Sequence, residues 1–223
     1  MTNGADTQPR KRVAVLISGR GSNMMSLVEA SRALAYPAEI VTVISNRPAA
    51  PGLAWARAQG IETVALDHKA YPSRAAFDDA LDAAIKATGA DIVACAGFMR
   101  LMTKELVERW HNRMINIHPT LLPSFKGLDT HARALATGVR IAGCTVHIVR
   151  AEMDAGPILG QAAVPVLDAD TPDTLARRIL TAEHRLYPQV LSLFAAGAYD
   201  IHQDTARLKG ASTNDAMLFS PPS

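Results

Sequence analysis

The chain is predicted to be an α/β protein: an open, mostly parallel twisted sheet with helices on both faces and an antiparallel or mixed extension at its C-terminal end. Three observations carry that prediction. Apolar, β-branched runs recur along the first half of the chain. Helical stretches separate several of them, and strands alternating with helices at this spacing form parallel sheets covered on both faces. Beyond residue 140 the pattern changes to two strands joined by a loop too short to hold a crossover helix.

Taken in order, residues 1–11 are polar and read as a solvated tail. Residues 12–18 (RVAVLIS) form a buried strand that enters the turn Gly19-Arg20-Gly21-Ser22-Asn23, and a helix follows from Ser22 to about residue 34. A second strand, 40–45 (IVTVIS), closes at Asn46-Arg47-Pro48. A short helix at 52–59 precedes Gly60, and 62–66 is the third strand. Ser73 has the chemistry of an N-cap for a helix reaching Thr88, which Gly89 stops. Residues 92–96 (IVACA) and 114–118 (MINIH) are the fourth and fifth strands, 142–149 and 161–166 the sixth and seventh. Thr171-Pro172 suits the cap and first turn of a long helix. Its apolar stripe, Leu175, Ile179, Ala182, Leu186 and Leu193, keeps close to helical period. Residues 200–208 fit a small hairpin and 214–223 a loose tail. No repeat or low-complexity linker divides the chain, so one domain is expected over 12–202, with a short hairpin and tail over 203–223.

Composition excludes several function classes. With 223 residues, 48% hydrophobic and 20% charged, the chain is long and apolar enough for one sizeable soluble core. A net charge of +2, scattered Lys and Arg and 5% aromatics are poor material for binding nucleic acid. No apolar run approaches the ~18 residues that span a bilayer, and the polar N-terminus has no secretory core. A cytoplasmic location without membrane partners is therefore expected, as monomer or homodimer. Cys95 and Cys144 lie in apolar runs and read as small buried hydrophobes. No CxxC or Cys/His cluster is present, so no metal is expected.

Candidate chemistry gathers at three places. Asn116 and His118 sit two apart on a strand, so their side chains share a side. An amide donor beside an imidazole suits an oxyanion forming at a carbonyl carbon. With no Ser or Cys nucleophile next to them, direct acyl transfer is the first reading. Pro119, Pro123 and Gly127 then forbid a regular helix and imply a shaped loop. Asp154 lies 36 residues beyond His118 in a loop before Gly156-Pro157. Brought close, it favours the imidazolium; left alone, it is a solvated loop carboxylate. His147, in the sixth strand, stays open between structure and site. The Gly19–Asn23 turn offers backbone N–H groups at a helix start, a ready phosphate site. A dinucleotide fingerprint fails there, because Met24 stands where the third glycine belongs and the second strand ends in Asn46 instead of an acid. Ser22 and Asn23 add donors that favour a phosphate monoester, with a plain structural turn as the alternative. Lastly, Ala96–Arg100 follows the fourth strand at the carboxyl edge, where ligands collect in such sheets. Phe98 and Met99 there suit a flat heteroaromatic ligand, unless they simply pack into the core.

The segments VAVLISGRGSN (13–23), ISNR (44–47), AGFMRLM (96–102), INIHPTLLPSFKG (115–127), GCTVHIV (143–149), MDAGPIL (153–159) and EHRLYP (183–188) resemble the phosphoribosylglycinamide formyltransferases, folate-dependent enzymes of purine synthesis, from about residue 12 to 202. Asn-x-His-Pro with a downstream Asp-x-Gly-Pro is the specific part. The resemblance implies that Asn116, His118 and Asp154 are catalytic. The glycinamide ribonucleotide amine would attack the formyl carbon of 10-formyltetrahydrofolate, the co-substrate, while Asp154 supports a water-borne proton relay. It also implies phosphate binding by Gly21, Ser22 and Asn23 and ribonucleotide binding by Glu183. A folate pocket at Met99, Arg100 and Leu101 follows, with Arg74 meeting the folate's glutamate carboxylate. Apart from the resemblance, Glu183 reads as a solvated carboxylate at the edge of a helical stripe and Arg74 as an exposed helix-start cation. One departure is Asp129, where some members carry His.

Four rival readings are weighed against this. A formyltetrahydrofolate deformylase shares the Asn, His and Asp but usually has an N-terminal regulatory domain, whereas ~11 residues precede the first strand here. A methionyl-tRNA formyltransferase needs a C-terminal RNA-binding domain, and ~20 residues follow His202. A nicotinamide-dependent oxidoreductase lacks its glycine and its ribose acid. A binding protein without turnover remains a different class, because fold alone does not establish chemistry.

Overall fold

The computed structural model describes residues 9–210; the expected tail at 214–223 and most of the N-terminal one lie outside the described residues. The element order is β1 (Lys11–Ile17), α1 (Ser22–Ser31), β2 (Ala38–Ser45), α2 (Pro51–Ala58), β3 (Glu62–Ala65), α3 (Arg74–Ala87), β4 (Ile92–Cys95), α4 (Lys104–Arg109), β5 (Met114–His118), α5 (Thr130–Thr137), β6 (Ile141–Ile148), β7 (Ile158–Pro165), α6 (Pro172–Ala195), β8 (Tyr199–His202) and β9 (Thr205–Leu208). A 3-10 turn at His68–Ala70 precedes α3. Seven strands make one sheet in the order β3-β2-β1-β4-β5-β6-β7, and β8-β9 is a separate hairpin. Pairing is parallel from β3 through β5 and antiparallel at β5-β6 and β6-β7. The sheet is thus mostly parallel with an antiparallel extension, the architecture that the sequence predicts.

Beyond its exposed start at Lys11 and Arg12, β1 is apolar because both of its faces are covered, which removes the alternation of a half-exposed strand. Val13, Val15 and Ile17 join one core with Met24 and Leu27 of α1 and Tyr187 of α6. Ala14 and Leu16 point the other way, into a core built from Phe77, Leu81 and Ile85 of α3 with Leu106 and Trp110. A third, smaller core under α6 buries Leu175 and Ile179 against Cys144 and Ala134. Both cysteines are free and buried.

Two helices are absent from the sequence reading. α4 has six residues and α5 eight, too short for an apolar stripe to repeat. Their ends were nonetheless written in the chain. Thr103 caps α4 by accepting the Leu106 N–H, and Gly138 ends α5 in the left-handed region. α1 stops at Ser31, about three residues early, and leaves Leu34 98% exposed with no surface to pack on. β7 begins at Ile158 instead of 161 because β6 offers it partners back to His147.

The fold creates a site at one edge. The chain turns from β1 to β2 on one side and later returns to β4 on the other, so a crevice opens between the carboxyl ends of β1 and β4, where open α/β sheets bind ligands. The Ser18 hydroxyl holds this crevice together. It donates to Asn46 Oδ1 at 2.6 Å and accepts from the Met99 backbone N–H at 2.7 Å. Across it lies α6, pinned by the buried Tyr187 hydroxyl on the carbonyls of Cys95 (3.0 Å) and Ile115 (3.3 Å). One turn before that anchor, Glu183 faces the crevice.

Candidate active site

β5 ends the parallel part of the sheet and delivers Asn116 and His118 to its carboxyl edge. On the neighbouring β6 the partners in register are His147 for Asn116 and Thr145 for His118. The loop after His118 is held by the buried Thr145 hydroxyl, which donates to the Thr120 carbonyl at 2.7 Å and accepts from Leu122 N–H at 3.0 Å. Asp154 reaches the site from the loop between β6 and β7. Its Oδ2 lies 3.5 Å from His118 Nδ1 and accepts the Gly127 N–H at 3.0 Å, and its Oδ1 lies 3.8 Å from His147 Nε2. Asn116 Nδ2 is 3.2 Å from His147 Nε2. Asn116, His118 and Asp154 are therefore brought into one cluster, with His147 as a fourth member between the first and the last.

The Asp154 carboxylate and a backbone carbonyl flank the His118 ring. Its two ring nitrogens face oxygens that only accept, Asp154 Oδ2 and, at 3.3 Å from Nε2, the Phe125 carbonyl. The ring is 6% exposed, so these partners are weakly screened. Asp154 itself sits at φ 53°, a left-handed conformation that Asp and Asn tolerate better than other residues with a Cβ. Two residues on, a Cβ on Gly156 would stand 1.8 Å from the Ile148 carbonyl oxygen, an impossible approach. Gly156→Ala is expected to lift the Asp154 loop off β6, lowering kcat at least about tenfold by misplacing the carboxylate and lowering Tm in the same preparation. Steady-state kinetics and a thermal melt check both.

The Gly19–Asn23 turn leaves the start of α1 without a side-chain cap. Gly21, at φ 71°, caps α1 without any side-chain bond, so the first-turn N–H groups are left for an anion. A cavity of about 280 Å³ opens there, lined by Ser18 to Asn23, Arg47, Ala96, Gly97 and Met99. A second, of about 410 Å³, is lined by Arg20, Pro119, His131, Arg177 and Glu183 among others. Glu183 is buried, with Oε2 accepting from Asn23 Nδ2 at 2.6 Å. Burial raises its pKa and the Asn23 bond partly opposes that. The Asn23 side chain is thus turned to Glu183, and its Oδ1 is buried without a partner. Burial, and then the charge of His118, push the His131 imidazole below its ordinary range.

Arg20 and Arg177 were passed over in the sequence. Among the described residues neither guanidinium forms a hydrogen bond or ion pair, although both line the larger cavity with Glu183. Little signal was available: Arg20 lies inside the glycine turn, but Arg177, six residues before Glu183 on α6, stands about 120° around the helix from it. The residues expected around folate stand further out. Met99 and Leu101 are 60% and 56% exposed after β4. Arg100 stacks over the Phe77 ring at 4.8 Å, which sets this segment beside the start of α3, and its Nε is buried without a partner. Arg74, the first residue of α3, is exposed and makes no side-chain bond among the described residues. Among the described residues no group of three or more His, Cys, Asp or Glu side chains could hold a metal ion.

The geometry has counterparts in known proteins. Residues 11–191 match the family profile described as Formyl transferase. The chain belongs to the formyl transferase family. Phosphoribosylglycinamide formyltransferase of Escherichia coli K12 is 41% identical over 198 residues, 89% of this chain and 93% of that protein. The human trifunctional purine biosynthetic protein adenosine-3 is 45% identical over 205 residues, covering 92% of this chain. This chain spans only a fifth of the length of such trifunctional relatives. The crystal structure of glycinamide ribonucleotide transformylase 1 from Symbiobacterium toebii superposes with a TM-score of 0.87 at 47% identity, over 89% of this chain and 94% of that one. Within its family the chain therefore groups with the phosphoribosylglycinamide formyltransferases, which are transferases.

Proposed function

We propose that this chain transfers the formyl group of 10-formyltetrahydrofolate to the amine of glycinamide ribonucleotide by direct attack, without a formyl-enzyme. The observation that carries this reading is the buried His118 imidazole 3.5 Å from the Asp154 carboxylate, on the strand that also presents Asn116. As the amine attacks the formyl carbon, its oxygen becomes an oxyanion. Asn116 N–H and the His118 imidazolium donate to it, and fixed donors of this kind act strongly in a site that excludes water. The 3.3 Å bond from His118 Nε2 to the Phe125 carbonyl is long and neutral at its acceptor. A charged oxyanion is the stronger acceptor and displaces it. Asp154 holds the imidazolium charge and orders a water that takes the proton from the attacking amine to the folate nitrogen. The C–N bond to folate then breaks with that nitrogen protonated, and the charges balance.

In this reading the ribonucleotide phosphate meets the N–H groups of Gly21, Ser22 and Asn23, with positive charge from Arg20 and Arg177, and the ribose hydroxyls meet Glu183. Folate lies along Met99, Arg100 and Leu101, its glutamate tail towards Arg74. Both substrates are small molecules, and no nucleic acid, membrane or metal is called for. Among the described residues no helix is long and apolar enough to cross a membrane. Glu183→Ala is expected to raise KM for the ribonucleotide about 10- to 100-fold, the cost of hydrogen bonds to a charged group. A change confined to the folate KM would contradict the placement.

The reaction is tested by following 10-formyltetrahydrofolate spectroscopically with and without ribonucleotide. Consumption that depends on the ribonucleotide supports the transferase. Consumption without it means that water is the acceptor, and none at all means that the chain binds without turnover.

A further inference from the structure

His147 is not used in the mechanism above, yet it is 2% exposed and lies directly across the β5-β6 pair from Asn116. Its Nδ1 is 3.0 Å from the Ile148 carbonyl. A carbonyl oxygen only accepts, so the proton is on Nδ1. In the neutral ring this leaves Nε2 with a bare lone pair, 3.2 Å from Asn116 Nδ2. The direction of that bond is then fixed: the amide donates and the imidazole accepts. It also fixes which way the carboxamide faces. The NH₂ end of Asn116 is drawn to His147, and its second N–H remains on the side of the site. Protonation of Nε2 would reverse the pair, since an N–H there would call for the amide oxygen in place of the NH₂.

The surroundings keep the ring neutral. Burial is the main influence lowering its pKa; the positive charges of His118 and Lys126 act in the same direction, while the Ile148 bond and Asp154 oppose it. Asp154 Oδ1, at 3.8 Å, is beyond hydrogen-bond range. We infer that His147 is a positioning residue, an obligatory hydrogen-bond acceptor that holds the Asn116 carboxamide with its free N–H aimed at the forming oxyanion. The inference rests on the role given to Asn116 above and adds to it the group that sets its orientation.

The test has one arm that needs no turnover. In ¹⁵N spectra of the imidazole, His147 is expected as the neutral Nδ1–H tautomer from pH 8 down to about 6.5, the ordinary titration midpoint of histidine. A protonated ring at pH 7, or the Nε2–H tautomer, overturns the proposal whether or not the chain is a formyltransferase. The kinetic arm uses His147→Leu, which removes the acceptor, and His147→Gln, which restores one. His147→Leu should lower kcat about 10- to 100-fold, the effect of a misaimed group, with both KM values nearly unchanged. His147→Gln should recover most of that loss, with the limbs of the pH profile at their wild-type positions. In the Asn116→Ala background, His147→Leu should cost less than about twofold, because a residue acting through Asn116 has nothing left to position. An additive loss in that background, or a pH limb that vanishes in His147→Gln, would mean that His147 acts on its own and the proposal is wrong. If the leucine variant does not fold, the glutamine variant and the spectrum decide. Absence of any formyl transfer in the wild-type chain would count against the function, while the spectrum still judges the hydrogen bond.

Discussion

Asp154→Asn is expected to lower kcat about 10³-fold while leaving the ribonucleotide KM within a few-fold of wild type. Asn is the informative replacement because it removes charge and little else. It tolerates the φ of 53° at this position, and its amide oxygen can still accept the Gly127 N–H that now reaches Asp154 Oδ2 at 3.0 Å. The loop clasp therefore survives, helped by the Lys126–Glu152 ion pair at 3.1 Å between the same two loops. What disappears is the negative charge 3.5 Å from His118 Nδ1, and with it both roles proposed for Asp154, balancing the charge on His118 and ordering the relay water. General acid–base groups contribute about 10²- to 10⁴-fold, and the expected loss lies in that range. Steady-state kinetics with each substrate varied in turn measure the split. Wild-type kcat would remove Asp154 from the scheme, and a large rise in the ribonucleotide KM would make it a binding residue.

His118→Ala is expected to cost about 10²- to 10³-fold in kcat, the range for deleting one oxyanion donor. The substitution also leaves the Asp154 carboxylate, only 10% exposed, without its His118 partner, so some loss of stability should accompany it. Separation of the two effects comes from binding. A thermal-shift titration should show the ribonucleotide still stabilising the variant, because Gly21, Ser22, Asn23 and Glu183 belong to other elements. Loss of ribonucleotide binding together with turnover would show that His118 builds the site and does not serve the chemistry alone.

The sheet was legible because its central strands are covered on both faces. Residues such as Val13 to Ile17 must all be apolar, and a continuous apolar run is hard to mistake. The position of the glycine turn was legible too, since an apolar strand runs into Gly-x-Gly just before a helical stretch. Two of the three short helices were not: α4 and α5 bury Leu106 and Ala134 in the cores but are too short to show a repeating stripe. At the site, the same-side placement of Asn116 and His118 followed from strand geometry alone. The approach of Asp154 did not, because 35 residues of loop, helix and strand separate it from His118 and only the antiparallel return of β6 brings them together. That same cross-strand register, invisible in the chain, sets His147 against Asn116. Arg20 and Arg177 were missed for another reason. Isolated cations are ordinary surface residues until a cavity shows that two of them share it.

The most direct test of the central claim is a single turnover with 10-formyltetrahydrofolate carrying ¹³C in the formyl group, quenched and read by NMR and by mass spectrometry of the protein. Direct transfer predicts that the label moves to the ribonucleotide nitrogen at the rate at which folate loses it, with no formylated protein at any time. Label recovered as formate, or found on the chain itself, would contradict the account.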